Sequence, residues 1–263
     1  MRVCTLASGS NGNATYIGGD NAAVLVDSGL SGKTVTQELD SLGIDPTGLR
    51  GILVTHEHTD HIKGVGVLSR KLDLKIYATE QTWEAIKPTV GKIADYNQCV
   101  LETGRALEVE DLQIEHFNTS HDAVDSVGFC VQSRKSRIGI STDTGYLTAP
   151  ARRSLDGSDL LVFEANHDLQ MLRQGSYPWA LKQRILSDRG HLSNIAAGHC
   201  LASLVSGKTK GVILAHLSKE NNCPELAYST VAKVLIDAGL YPEQDFVMEV
   251  APRCLPGTVW HLD

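Results

Sequence analysis

Apolar and polar positions fall into short alternating blocks along the chain. Val3 to Ala7, Thr15 to Ile17 and Ala22 to Val26 are runs of aliphatic and β-branched residues. Turn formers break them, among them Ser8-Gly9-Ser10-Asn11-Gly12-Asn13. Runs of this length and spacing predict an opening antiparallel meander. Ser31 to Leu42 predicts a helix with Ser31 as its N-cap. Gly51 to Thr55 predicts a short buried strand that ends in Thr55-His56-Glu57-His58-Thr59-Asp60-His61. A second meander occupies roughly Leu101 to Ser141, with strands at Leu112 to Phe117, Val127 to Gln132 and Ile138 to Ser141. Leu160 to Glu164 and Gly211 to Ala215 predict two further apolar strands. Helical patterns occupy Trp179 to Leu186, Ile195 to Val205 and Glu225 to Ala238. Strand clusters early and midway, each followed by helices, predict an α/β chain with two sheets covered by helices on their outer faces.

The 263 residues show no linker, low-complexity segment or sequence repeat, and read as one domain over 1–263. Hydrophobic residues make up 42% and charged residues 21%, which excludes disorder, collagen and coiled coil as the main description. No apolar run reaches the roughly 18 residues needed to cross a bilayer. The opening MRVCTLASGS turns polar within a few positions and does not make a secretory signal, so a cytoplasmic location and no membrane partner are expected. Six cysteines fall in no CxxC pair, which reads as reduced thiols rather than a disulfide framework or a cysteine metal site. A net charge of −7 leaves no global basic footprint for nucleic acid, although a local patch remains open.

Chemistry-bearing residues gather at strand ends. Asp27, His56 to His61, Asp143, Glu164 and His216 each follow directly on an apolar run, where a rigid scaffold usually presents a site. In an extended segment, residues two apart point the same way, so His56 and His58 can converge on one metal. Asp60 and His61 follow where a helix starts, near Thr59. They can diverge toward a second metal about 3.5–4 Å from the first, the usual spacing of two-metal hydrolytic sites. Imidazole and carboxylate together suit Zn²⁺ best, with Mn²⁺ or Fe²⁺ as alternatives.

HEHTDH resembles the HxHxDH signature of the metallo-β-lactamase fold superfamily, and other pieces of that pattern follow in order. Asp27, ending Ala22-Ala23-Val24-Leu25-Val26, resembles its first motif, an Asp that braces the histidine loop. His121 in Thr119-Ser120-His121-Asp122 resembles the third, Asp143 in Ser141-Thr142-Asp143-Thr144-Gly145 the fourth, and His216 in Ala215-His216-Leu217-Ser218 the fifth. His116 competes for the third position, but it lies within a strand pattern whereas His121 lies past it. His199 reads as a packing residue of a helix, and His167 and His261 have no motif context. The resemblance implies an αββα sandwich of two mixed sheets flanked by helices. It also implies two divalent ions: His56, His58 and His121 on the first, Asp60, His61 and His216 on the second, with Asp143 and a hydroxide shared between them.

Two further motifs bear on the substrate. In Arg189-Gly190-His191-Leu192-Ser193-Asn194 a histidine sits just before a helix with Ser193 as N-cap, an arrangement suited to an anionic oxygen. GHLSN, His216-Leu217-Ser218-Lys219-Glu220-Asn221 and the N-terminal LASGSNGNAT together resemble the YycJ/WalJ-like branch, which implies a metal-dependent DNA exonuclease acting 5′ to 3′, DNA rather than RNA being the substrate. Asp60 and His191 are then the residues expected to act in catalysis. No long insertion or exosite arm like those of RNase J and RNase Z is seen. The alternatives are a small-molecule hydrolase of the same fold, either a cyclic phosphodiesterase or a glyoxalase-II-type thioesterase, and a non-catalytic relative with an incomplete ligand set. Oligomeric state is not legible.

Lys182, Arg184 and Arg189 precede His191 and are expected to form an electropositive rim, since phosphate contacts need Lys or Arg. Arg134 to Arg137 reads as a hairpin tip. Tyr146, Tyr177 and Trp179 either stack on bases or pack in the core. The Gly- and Ser-rich Ser8 to Asn13 loop either brings backbone N–H groups to a phosphate or is a plain hairpin turn.

Overall fold

A computed structural model describes all 263 residues, and its strands fall in two seven-stranded sheets. The first half supplies β1 (Arg2–Ala7), β2 (Ala14–Gly18), β3 (Ala23–Val26), β4 (Leu49–Leu53), β5 (Lys75–Ala78) and β6 (Gln98–Val100). The second supplies β7 (Leu107–Val109), β8 (Leu112–Asn118), β9 (Val127–Gln132), β10 (Arg137–Ser141), β11 (Leu160–Glu164), β12 (Gly211–Ala215) and β13 (Val247–Val250). Finally β14 (Trp260–His261) returns to pair with β1 at the edge of the first sheet. Both sheets are mixed. In the first, β1, β2 and β3 run antiparallel and β4, β5 and β6 continue in parallel from β3. The second repeats that plan, with β7 to β10 antiparallel and β11 to β13 parallel from β10. Two halves with no sequence repeat therefore share one topology.

Helices α1 (Gly32–Ser41), α2 (Thr59–Ile62), α3 (Val65–Leu72) and α4 (Glu80–Val90) lie in the first half. In the second lie α5 (Ala149–Leu155), α6 (Leu169–Gln174), α7 (Trp179–Ile185), α8 (Asn194–Ala202) and α9 (Pro224–Asp237). Several N-termini are capped by a side chain: Ser31 Oγ accepts the Thr34 amide of α1, and Ser193 Oγ accepts the Ala196 amide of α8. Such caps satisfy donors that have no partner within the helix.

Strand periodicity decides what each side chain buries. Val24 and Val26 of β3 turn inward against Phe129, Ile140 and Val162 of the second sheet. Leu25 between them turns outward and packs with Leu39 of α1, Leu68 of α3 and Trp83 of α4. In the second sheet Ile213 faces inward, while Val212 and Leu214 meet Leu201 of α8 and Val231 of α9. Three apolar layers result, one between the sheets and one beneath the helices on each side. This is the αββα sandwich expected from the sequence.

The predicted helices and strands lie within about three residues of their observed bounds, the widest gap being α8, which ends at Ala202 rather than Val205. The strand expected at Gly51 to Thr55 is shifted: β4 ends at Leu53, because Thr55 turns away to meet Asp27. His199, expected to pack, is exposed on α8, whose buried face is Asn194, Ala197, Gly198 and Leu201. No helix is long and apolar enough to cross a membrane.

Candidate metal centre

The polar loops at the strand ends meet over one end of the sandwich. Asp27 and His216 directly after β3 and β12, and Asp143 two residues past β10, take left-handed backbone angles, φ 60°, 57° and 54°. Non-glycine residues rarely adopt this conformation, and it concentrates at functional sites. It turns each chain sharply off its strand. Asp27 and Asp143 occupy matching places in the two repeated halves, as Asp27-Ser28-Gly29 and Asp143-Thr144-Gly145. Gly29 admits no side chain, because a Cβ there would lie 1.6 Å from the Asp60 carbonyl oxygen.

Asp27 braces the histidine loop. Its carboxylate accepts the Thr55 amide (2.8 Å), the Thr55 hydroxyl (2.8 Å) and Nδ1–H of His61 (2.7 Å). Thr55 Oγ1 also lies 2.9 Å from His56 Nδ1. Both rings are thereby held at Nδ1 and present Nε2 to the interior. His56 and His58 converge, with ring centroids 4.6 Å apart, and His121 stands 5.1 Å from each. Ligand atoms of His56, His58 and His121 lie within 4.8 Å of one another, and so do those of Asp60, His61 and His216. Asp143 lies between the two groups, 3.4 Å from His61 Nε2, 3.5 Å from His216 Nε2 and 3.7 Å from His121 Nε2. All seven residues singled out in the sequence are thus gathered in one place.

The donor set fits a divalent cation. The buried atoms His56 Nε2, His216 Nε2 and Asp143 Oδ2 have no hydrogen-bond partner. Native interiors leave few polar atoms so, and an ion accounts for them. Burial and the neighbouring histidines hold His56 well below the usual imidazole range, so it is neutral and able to ligate.

Glu164 was noted in the sequence only as polar at a strand end, and it proves to be the hub of the second sheet's contribution. Fully buried, it accepts His191 Nδ1–H (2.7 Å) and His216 Nδ1–H (3.0 Å) on Oε1. Its Oε2 accepts the amides of Thr144 (3.0 Å) and Leu192 (3.2 Å). Burial by itself would raise its pKa, but His191 and His216 hold the carboxyl well below its usual range. The Nε2 atoms of both histidines are left free. His191 lines a cleft of about 260 Å³ above the cluster, with Ser10, Tyr177, Leu181, Arg184 and Ile185 among its walls.

The Ser8 to Asn13 loop, read from the sequence as a phosphate cradle or a plain turn, contacts the ligands themselves through Ser8 and Asn13. Ser8 Oγ accepts the His216 amide (2.7 Å), and Asn13 Nδ2 lies 3.0 Å from His61 Nε2. Their signal, a turn-rich loop, does not reveal what it will touch. His167 is buried and is not among the grouped ligand atoms, and burial pushes its imidazole down to about 4.

The expected electropositive rim is not present. Lys182 is buried and donates to the carbonyls of Arg173 (2.9 Å) and Gly175 (2.6 Å). Arg184 is paired with Asp122, and Arg189 donates to the carbonyls of His121 and Ala123. Each cation is engaged in holding α7 and its flanking loops in place. The aromatic side chains are not core either: Trp179 is 70% exposed and Tyr146 49% exposed, and Tyr177 faces the cleft.

A family model described as the beta-lactamase superfamily domain matches residues 23–217. The chain is 43% identical over 239 residues to exodeoxyribonuclease YycJ of Bacillus anthracis, covering 91% of this chain and 90% of that one. It is 42% identical over 255 residues to exodeoxyribonuclease WalJ of Streptococcus pneumoniae, covering 96% and 95%. The crystal structure of the metallo-beta-lactamase fold protein YhfI from Bacillus subtilis superposes with a TM-score of 0.72 over 98% of both chains at 16% identity, a likeness of fold alone. With its seven donors, its paired mixed sheets and relatives matched over almost their whole length, the chain belongs to the metallo-β-lactamase superfamily, in the branch that contains YycJ and WalJ.

Proposed function

We propose that the chain is a dinuclear metal-dependent phosphodiesterase acting on DNA as a 5′ to 3′ exonuclease. The observation that carries this reading is the convergence of two three-ligand groups on the shared carboxylate of Asp143, beside a histidine whose Nε2 faces the cleft. In it, His56, His58 and His121 would hold one divalent ion and Asp60, His61 and His216 the other, with Asp143 placed between the two groups. Zn²⁺ or Mn²⁺ best matches this imidazole and carboxylate set, with Fe²⁺ as the alternative. When bound, the pair supplies an acidified water as nucleophile and neutralises charge on the phosphate.

The chain's own residues do the rest. Asp27 and Glu164 fix the Nδ1–H tautomers of His61 and His216, so that Nε2 is the ligating atom. Glu164 accepts Nδ1–H of His191 in the same way, which leaves Nε2 toward the cleft. From there His191 assists the leaving oxygen as general acid, a contribution of about 10²–10⁴ in rate. The His191→Ala variant retains its metals and loses turnover by that factor. The names of the two relatives support DNA as the substrate, and the YycJ/WalJ resemblance supports the direction.

One observation favours a rival substrate: Arg184 is the only Lys or Arg lining the cleft, and it is paired, as suits a small phosphodiester. Time-resolved digestion of end-labelled single- and double-stranded DNA and RNA with each metal, beside bis(p-nitrophenyl) phosphate and a thioester, decides between them. Release of mononucleotides from the 5′ end of DNA is expected. Turnover of the thioester alone would overturn the reading.

A further inference from the structure

The Ser8 to Asn13 loop touches only one of the two ligand groups, and touches every member of it. Asn13 N–H donates to the Asp60 carbonyl (2.8 Å), and Asn13 Nδ2 lies 3.3 Å from Asp60 Oδ2 and 3.0 Å from His61 Nε2. At the other end of the loop, Ser8 Oγ accepts the His216 amide at 2.7 Å. His56, His58 and His121 receive no hydrogen bond from it; His56 is held instead by Thr55, and His121 by the Gly190 carbonyl, 3.2 Å from its Nδ1.

Asn13 has little choice of orientation. The Gly9 amide donates to its Oδ1 at 2.8 Å, so its NH₂ must face Asp60 and His61. Asp27 takes Nδ1–H of His61, which leaves the Nε2 lone pair for the ion, so the support that Asn13 can give with the ion in place runs through Asp60, at its carbonyl and at Oδ2. The backbone is clamped as well: the Asn13 carbonyl accepts the Gly29 amide at 2.8 Å, and a Cβ on Gly29 would lie 2.6 Å from Asn13 N. Asn13 is buried.

We infer that Ser8 and Asn13 are positioning residues for the Asp60–His61–His216 ion alone, so that the two ions bind with separately set affinities. This rests on the ligand assignment proposed above. Loss of an outer partner of a metal ligand typically costs about 10–100-fold in metal affinity, and here the loss falls on one ion. Asn13→Ala removes both side-chain contacts to Asp60 and His61. Ser8→Ala removes the acceptor for the strained turn at His216.

The test is Zn²⁺ binding, read without activity. Protein is stripped with a chelator, reloaded with Zn²⁺, desalted and counted by elemental mass spectrometry, and stepwise affinities are taken by competition with a chromophoric chelator. Wild type is expected to hold two ions per chain. Asn13→Ala is expected to keep one at unchanged affinity and to bind the other about 10–100-fold more weakly, with Ser8→Ala shifting the same step. Two wild-type affinities in both variants, or equal weakening of both ions, overturn the inference. Circular dichroism checks the fold; should Asn13→Ala not fold, Ser8→Ala alone decides. His121→Ala separates the two readings: if it binds as many ions as wild type, the ligand assignment itself fails, whatever the loop variants do.

Discussion

Replacing Glu164 by Gln tests whether one buried carboxylate sets the protonation of two histidines. Glu164 accepts four hydrogen bonds, two from backbone amides and two from imidazole Nδ1 atoms. A glutamine offers one oxygen and one NH₂, so it can keep only one pair as it is. The amides of Thr144 and Leu192 are obligate donors, whereas an imidazole can exchange its proton between nitrogens. The glutamine oxygen therefore stays on the amides, and its NH₂ turns to His191 and His216. Both rings must then accept at Nδ1 and carry their proton on Nε2. His216 loses its ligating atom, and His191 loses the carboxylate that held its ring at Nδ1. A wrong-tautomer exchange of this kind costs a serine-protease triad about 10⁴ in rate, so a loss of about 10³–10⁴, or about 4–5.5 kcal/mol of barrier, is expected. Folding is affected as well: all four bonds lose a charged acceptor, a difference of about 1 kcal/mol each, offset in part because no charge is buried. Turnover on labelled DNA, metal content and a urea titration separate these quantities. A Glu164→Gln protein with wild-type metal content and turnover within about threefold would refute the argument, because the tautomer shift gives it no other outcome.

Four further outcomes follow from the geometry. His191→Ala should keep its metal content while turnover falls about 10²–10⁴-fold; a loss of metal instead would place His191 among the ligands. Chelation should lower the thermal midpoint reversibly, since each ion present at 100 times its dissociation constant adds about 2.7 kcal/mol; a midpoint indifferent to chelator and to added Zn²⁺ would count against a metal centre. Single-stranded DNA binding, measured with the His191→Ala protein, should depend weakly on salt. With Arg184 the only Lys or Arg lining the cleft, and paired with Asp122, Lys and Arg contacts there should add no more than about −0.7 to the log–log slope, and a slope steeper than about −3 would reveal a basic track outside the cleft. Gly29→Ala should fail to fold or lose metal, because the new Cβ would meet the Asp60 carbonyl and the Asn13 amide; a soluble variant with wild-type metal content would show that this close approach is relaxed at little cost.

Local information was enough for much of this protein. The strands on either side of the site were legible because their apolar runs are short, β-branched and bounded by turn formers, as with Ala23–Val26 and Gly211–Ala215. The two- to four-residue strands β6, β7, β13 and β14 were not, because so few positions carry no periodicity to read. Neither were α3 and α4, whose stretch carried no predicted element. His56, His58, Asp60 and His61 were legible from spacing alone. The order of the remaining motifs along the chain brought in His121, Asp143, His216 and Asp27.

Other assignments failed for a reason common to them. Lys182, Arg184 and Arg189 look like phosphate ligands in a list of residues, yet a carbonyl or carboxylate contributed by another segment occupies each. Charge is written in the sequence, but availability is not. Glu164 was visible at the end of a strand, yet its role required His191 and His216, 27 and 52 residues away, to arrive on the same oxygen.

The sequence by itself determined which residue types stand at the ends of buried strands, and so the ligand inventory and the class of chemistry, because period-two burial and ligand spacing act within a few residues of the chain. Only the tertiary structure decided which loops meet. The parallel pairing of β3 with β4 and of β11 with β12 sets Asp27 against Thr55 and Glu164 against His216, and the first strand's loop reaches His216 across 208 residues. Those contacts depend on strand order and register, which arise from packing the whole chain and leave no mark at any single position.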